Sequence, residues 1–129
     1  MADFSTRGRA LNQTRQADLA TALAVADTHW TRFRGLLGLR PDDFRNGRGL
    51  WIVPCHGVHT LGMAFPIDVV YLDRLLQVVH VESNLQPWRF AAIRAQAASV
   101  LELPCHTATE TGTLVGDKIE ITLEDRSTQ

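Results

Sequence analysis

Pro66-Ile67-Asp68-Val69-Val70-Tyr71-Leu72-Asp73-Arg74 is the stretch whose reading decides the fold. Ile67 to Leu72 is a short apolar run rich in β-branched residues, bounded by a proline in front and an Asp-Arg pair behind, which is the signature of a well-buried strand. Asp68 interrupts it. A carboxylate in such a run is costly to bury unless hydrogen-bonded or paired, so it either faces out or has a dedicated partner, with Arg34 the first choice and His59 or Thr60 next. The apolar segment Leu76 to Val81 follows through a tight connection at Asp73-Arg74. A two-residue loop pairs Leu72 with Leu75 and a four-residue loop pairs it with Gln77, and both give the same parity. Asp68 then shares a face with Val70, Leu72, Val79 and Val81, while His80 lies opposite with Val69 and Tyr71. Both faces are apolar, which places the hairpin in mid-sheet or in a barrel wall.

Working outward, Arg9 to Gln13 reads as an edge strand and Leu19 to Ala26 as a second strand, after which Asp27-Thr28 offers an N-cap. The helix from His29 to Leu37 sets Trp30, Phe33, Leu36 and Leu37 on one face, with Arg34 at its border. Gly35 inside it costs about 1 kcal/mol relative to alanine and implies close packing by another backbone, and Gly38 is a natural terminator. Pro41 to Gly49 is a polar loop with a turn at Asn46-Gly47. Leu50 to Val53, Ala98 to Leu103 and Asp117 to Glu124 read as strands, and Phe90 to Ala98 as a connection holding a helical turn. The expectation is a strand-rich α+β fold, its mostly antiparallel sheet closing into a small barrel with one or two short covering helices.

At 129 residues with a 45% apolar fraction, the chain is long enough for one real core, so a single domain over 1–129 is expected. Thirteen basic residues against fourteen acidic ones, with no basic run, give no electrostatic footprint for nucleic acid. The N-terminus lacks an apolar leader and no window approaches a membrane span, so a cytoplasmic protein without membrane contact is expected. In that setting Cys55 and Cys105 are reduced thiols or metal ligands rather than a disulfide.

Four blocks occur in order: Arg34-Gly-Leu-Leu-Gly38; Val58-His-Thr-Leu-Gly-Met63 running into Ile67 to Asp73; Val100-Leu-Glu-Leu-Pro104; and Val115-Gly-Asp-Lys118. In order and spacing they resemble the uncharacterised bacterial and archaeal family called domain of unknown function 192, over roughly Leu19 to Ile121. The resemblance implies a compact, strand-rich α+β domain and no activity. Two departures from the family pattern matter. Cys105-His106-Thr107 stands where the family has Ala-Gly-Thr, and Leu37 where methionine is common.

Among chemically able residues, Cys55, His56, His59, Cys105 and His106 are numerous enough for zinc, but adjacent Cys-His pairs seldom aim both side chains at one ion. The competing reading makes the cysteines small buried hydrophobes and gives His106 a backbone role, since histidine tolerates positive φ where the family places Gly. Cys55 with His56 or His59 is a possible thiolate and base pair, yet no electropositive setting for it is visible. Arg34, His59, Thr60, Asp68 and Glu102, joined by Arg89, interrupt apolar patterns and are the candidate ligand-binding set; as a purely structural network they would cluster equally. The leading expectation is a binding module for a small polar ligand or a protein partner at the Val58 to Met63 turn, without a cofactor. A metal-assisted or cysteine-dependent hydrolase and a purely structural interaction protein are the alternatives.

Overall fold

The computed structural model describes residues 6–124, apart from the side chains of Thr6, Trp30, Phe33 and Arg34. The aromatic stripe expected on Trp30 and Phe33, and the role expected of Arg34, therefore lie outside the described residues. The strands are β1 (Thr6–Asn12), β2 (Ala17–Ala26), β3 (Arg48–Ile52), β4 (Ile67–Leu72), β5 (Val78–Leu85), β6 (Ser99–Pro104) and β7 (Ile119–Leu123), with helices α1 (His29–Arg34) and α2 (Thr107–Thr111). They form one seven-stranded sheet in the order β5-β4-β6-β3-β2-β1-β7. Every pairing is antiparallel except β2 with β3, where α1 and the loop after it make the crossover.

The sheet curls into a half-barrel. Its two edges meet at one end, where Gln77 bridges Lys118, Val78 N–H donates to Asp117 at 2.8 Å and Ile119 N–H donates to Leu76 at 2.9 Å. The strand-rich α+β expectation holds, with closure confined to that end.

Alternation along the strands sorts the apolar residues into two cores. Leu19, Leu23, Val70, Leu72, Val78, Leu101, Leu103 and Ile119 fill the inside of the curl. Ile67, Val69, Tyr71, Val100, Leu50 and Ile52 face outward, and Leu36, Leu39, Phe44, Met63 and Phe65 cover them from the segments that follow α1 and β3. Because both faces of β4 and β6 are covered, each of their residues is buried, which accounts for near-continuous apolar runs rather than polar alternation.

Four local expectations are corrected. The β4–β5 hairpin pairs Val70 with Val81 and Tyr71 with His80, but a bulge then sets Leu72 opposite Val78. Val79 is the extra residue and joins the outer core, so Val78 takes its expected place beside Leu72. Helix α1 is shorter than the apolar spacing predicts: a capping box between Thr28 and Thr31 starts it, and Gly35 at φ +50° ends it. Gly35 serves that dihedral and not a close approach, since an added Cβ would meet only Glu102 Oε1, at 3.8 Å. Finally, residues 86–98 hold no helix and run as a covering loop, whereas the short α2, lacking an apolar stripe in sequence, packs against β2, β4, β5 and β6.

Candidate functional site

Glu102 is the centre of the outer face. It lies in β6 opposite Leu50 of β3 and Val69 of β4, both outward-facing, so its side chain emerges among apolar neighbours. It is 3% exposed, and its Oε1 has no hydrogen-bond partner among the described residues. Burial pushes its pKa up from 4.5 to about 8, so at neutral pH it is mainly a carboxylic acid.

Above Glu102 lies a cleft of about 300 Å³. One wall is α1 and its exit, His29, Arg32, Gly35, Leu36 and Leu37; the other is Pro54, Cys55, Gly57, Val58, His59 and Met63, with Ile52 and Glu102 between. Sequence dictates how the walls are set. The tight turn at Gly62 takes φ +80° and would bring a Cβ to 3.1 Å from Leu37, so a bare glycine lets the second wall approach the first. Arg32 spans the far side, donating to the Pro54 carbonyl at 3.1 Å and the Thr28 carbonyl at 3.3 Å. Its third contact is with His29 Nδ1 at 3.0 Å. A guanidinium only donates, so that nitrogen is the acceptor and the proton of a neutral His29 sits on Nε2. His59 has the same tautomer, because its Nδ1 accepts the Leu61 N–H at 3.2 Å.

The other sequence candidates serve elsewhere. Thr60 is fully buried; its hydroxyl donates to the Gln86 carbonyl at 2.6 Å and accepts the Arg89 N–H at 3.0 Å, clamping the turn to the 86–98 loop. Arg89 is exposed and does not line the cleft. Asp68 is on the opposite side of the sheet, fully buried, accepting the Asn84 N–H at 2.9 Å and the Ala108 N–H at 2.8 Å. Its partners are backbone amides, not the His59 or Thr60 expected, and the Ala108 bond anchors the first turn of α2. The expected set thus divides: Glu102 and His59 come together, Thr60 and Arg89 support the rim, and Asp68 belongs to the interior. His29 and Arg32 are the cleft residues that sequence reasoning missed. The signal available was their i, i+3 spacing next to the N-cap.

The Cys/His residues are also separated. Cys55 lines the cleft; His56 donates from Nδ1 to the Ala97 carbonyl at 2.6 Å outside it. Cys105 hydrogen-bonds Asn84 Oδ1 at 3.0 Å, and His106 is the N-cap of α2 at φ +80°, the backbone role that a glycine would fill. Among the described residues no three His, Cys, Asp or Glu side chains are grouped to hold a metal ion. Both cysteines are free thiols. Burial, opposed by hydrogen bonding to Gly57, pushes the Cys55 thiol up, the reverse of what nucleophilic chemistry requires. Burial likewise raises Cys105.

A second buried polar knot lies at the end where the half-barrel closes. Asp117 Oδ2 accepts from Arg15 Nε at 2.9 Å and from Asn12 Nδ2 and Leu114 N–H at 3.0 Å each. Burial opposes its charge, but bonds from Arg15, Asn12 and Leu114 outweigh it and hold the carboxyl below its ordinary value. With Oδ2 taking all three of these bonds from structural groups, this knot is a brace.

Comparison with known proteins agrees with this architecture. The family model of domain of unknown function 192, described as "Uncharacterized ACR", matches residues 10–121. A "UPF0127 protein" of Thermococcus sibiricus is 29% identical over 120 residues, 89% of this chain and 75% of that protein. A protein of unknown function from Novosphingobium aromaticivorans superposes with a TM-score of 0.74 at 18% identity, over 88% of this chain and 83% of that one. A putative transcription regulator from Sinorhizobium meliloti does so with a TM-score of 0.76 at 21% identity, over 94% and 97%. At these identities the two structures carry the fold alone. The family match spans most of the chain, and the chain belongs to the uncharacterised domain of unknown function 192 family.

Proposed function

We propose that this protein is a binding module for a small polar ligand held in the cleft over Glu102. The observation that carries the reading is the buried Glu102 carboxyl, whose Oε1 has no partner among the described residues: an orphan buried acceptor costs about 1–3 kcal/mol, which a ligand hydrogen bond would recover. A mainly neutral carboxyl both donates and accepts, so a ligand offering a paired donor and acceptor, such as an amide or a carboxylic acid, fits it best. Leu36, Leu37, Ile52, Val58 and Met63 supply apolar walls around few polar groups, and the volume is at the lower end for small-molecule sites. The free thiols suit a reducing compartment such as the cytoplasm. Nucleic acid is not the partner we propose, given the balanced charge.

A thermal-shift screen of small amides and carboxylic acids tests this. Compounds that stabilise the wild type should lose their effect on Glu102→Leu, whose apolar side chain has no bond to offer. Hits that stabilise both proteins equally, or an absence of hits at millimolar concentration, would refute it.

A further inference from the structure

Trp88, Phe90 and Ile93 are 65%, 76% and 80% exposed, and all belong to the 86–98 loop. Scattered exposed apolar residues need no explanation, but three large ones within six positions form a ridge. The ridge is rigid. Thr60 N–H donates to Arg89, Trp88 N–H to Thr60, Ala91 N–H to Val58 and Arg94 N–H to His56, at 2.8 to 3.0 Å, so the loop is laddered to the 53–66 loop beneath it. Trp88 is held at φ +65°, a conformation that costs a non-glycine residue about 1–2 kcal/mol, with its side chain largely in solvent.

Within the two laddered loops the formal charge has one sign. Residues 53–66 and 86–98 contain no Asp or Glu, and Arg89 and Arg94, both exposed, interleave with the apolar side chains. We infer that this ridge docks on an anionic lipid surface, with Trp88, Phe90 and Ile93 entering the headgroup boundary and Arg89 and Arg94 meeting lipid phosphates. Aromatic and aliphatic residues beside arginines are the composition that interfacial binding requires. The high exposure of all three side chains describes a projection, which suits insertion, whereas a bound peptide needs a groove. A second copy of the chain fits poorly, since two-fold self-pairing would bring Arg89 and Arg94 of both copies together without a carboxylate in either ridge. The expectation of no membrane contact rested on the lack of a spanning segment. Among the described residues no helix is long and apolar enough to cross a membrane, and surface docking needs none.

The test is co-sedimentation of the full chain with vesicles of equal parts phosphatidylglycerol and phosphatidylcholine, and with pure phosphatidylcholine. Binding is expected on the anionic vesicles, weakening as salt is raised, with Arg89→Gln/Arg94→Gln reducing it on the order of 30-fold. Phe90→Ser/Ile93→Ser should abolish it while leaving the melting temperature close to that of the wild type, which separates lost docking from lost folding. No binding at low salt, or equal binding to neutral vesicles, would overturn the inference. A dimer in sedimentation equilibrium that Phe90→Ser/Ile93→Ser dissociates would give the ridge to a second copy, and saturable binding of an acidic peptide without vesicle binding would give it to a protein.

Discussion

Asp68 and Glu102 sit on adjacent strands one step out of register, and that step puts them on opposite sides of the sheet: Glu102 lies across from Val69, and Asp68 from Leu103. With a side-chain period of two, the interior receives Asp68 and the outer face receives Glu102. Both carboxyls are buried, and they resolve the cost of burial differently. Asp68 takes a backbone N–H on each oxygen, while Glu102 keeps its proton beneath an open cleft.

Asp68 is a fold determinant. Asp68→Asn keeps the shape but presents an NH2 group to one of the two backbone donors, leaving Asn84 or Ala108 N–H unpaired. Urea titration at neutral pH should show a loss of about 2–4 kcal/mol. A loss under ~0.5 kcal/mol would mean that the two bonds contribute little to holding α2.

Glu102 sets the pH dependence above the acid range. Its folded pKa of about 8 exceeds the ordinary 4.5, so its stability contribution is complete below the ordinary value and is lost as pH rises through the folded one. Asp117 has the opposite sign: held below its ordinary value, it stabilises above that value and fails as pH falls through the folded one. Glu102→Gln should therefore remove a decline on the order of a few kcal/mol between about pH 5 and 9, becoming more stable than the wild type at the alkaline end. Parallel stability curves for the two proteins would contradict the assignment.

His106 occupies a left-handed position, φ +80°, with an exposed side chain. His106→Gly should raise stability by about 1 kcal/mol, and His106→Ala should not, because only glycine relieves the dihedral. Chemical denaturation midpoints of the three proteins give the answer, and equal midpoints would show that no strain is stored there.

The legible parts of the fold were those written in one local pattern. Pro66 and Asp73 frame an apolar run, and β4 has the bounds they imply. Hairpin parity was readable as far as Tyr71 and His80, but a bulge is set by strand twist and the turn, so Val79 changed sides. Asp68 was visible as a polar break that needed partners. That those partners are main-chain amides was not visible, since every residue but proline carries one. Glu102 was legible for the same reason as Asp68, and the sheet register that separates them was not. Gly38 read as the terminator and Gly35 as a close-packing position inside the helix, yet Gly35 is where the helix stops. Helix α2 left no periodic trace, because its few residues pack by one end of the half-barrel rather than by a stripe.

The most direct test of the account is the carboxyl ¹³C shift of Glu102, followed through pH in the ligand-free protein and assigned with Glu102→Gln. The account predicts that this buried carboxyl, unpaired among the described residues, will titrate with a midpoint near 8. A midpoint in the ordinary glutamate range, about 4, would show a carboxylate already paired or solvated, and the cleft would lose the group on which its binding role rests.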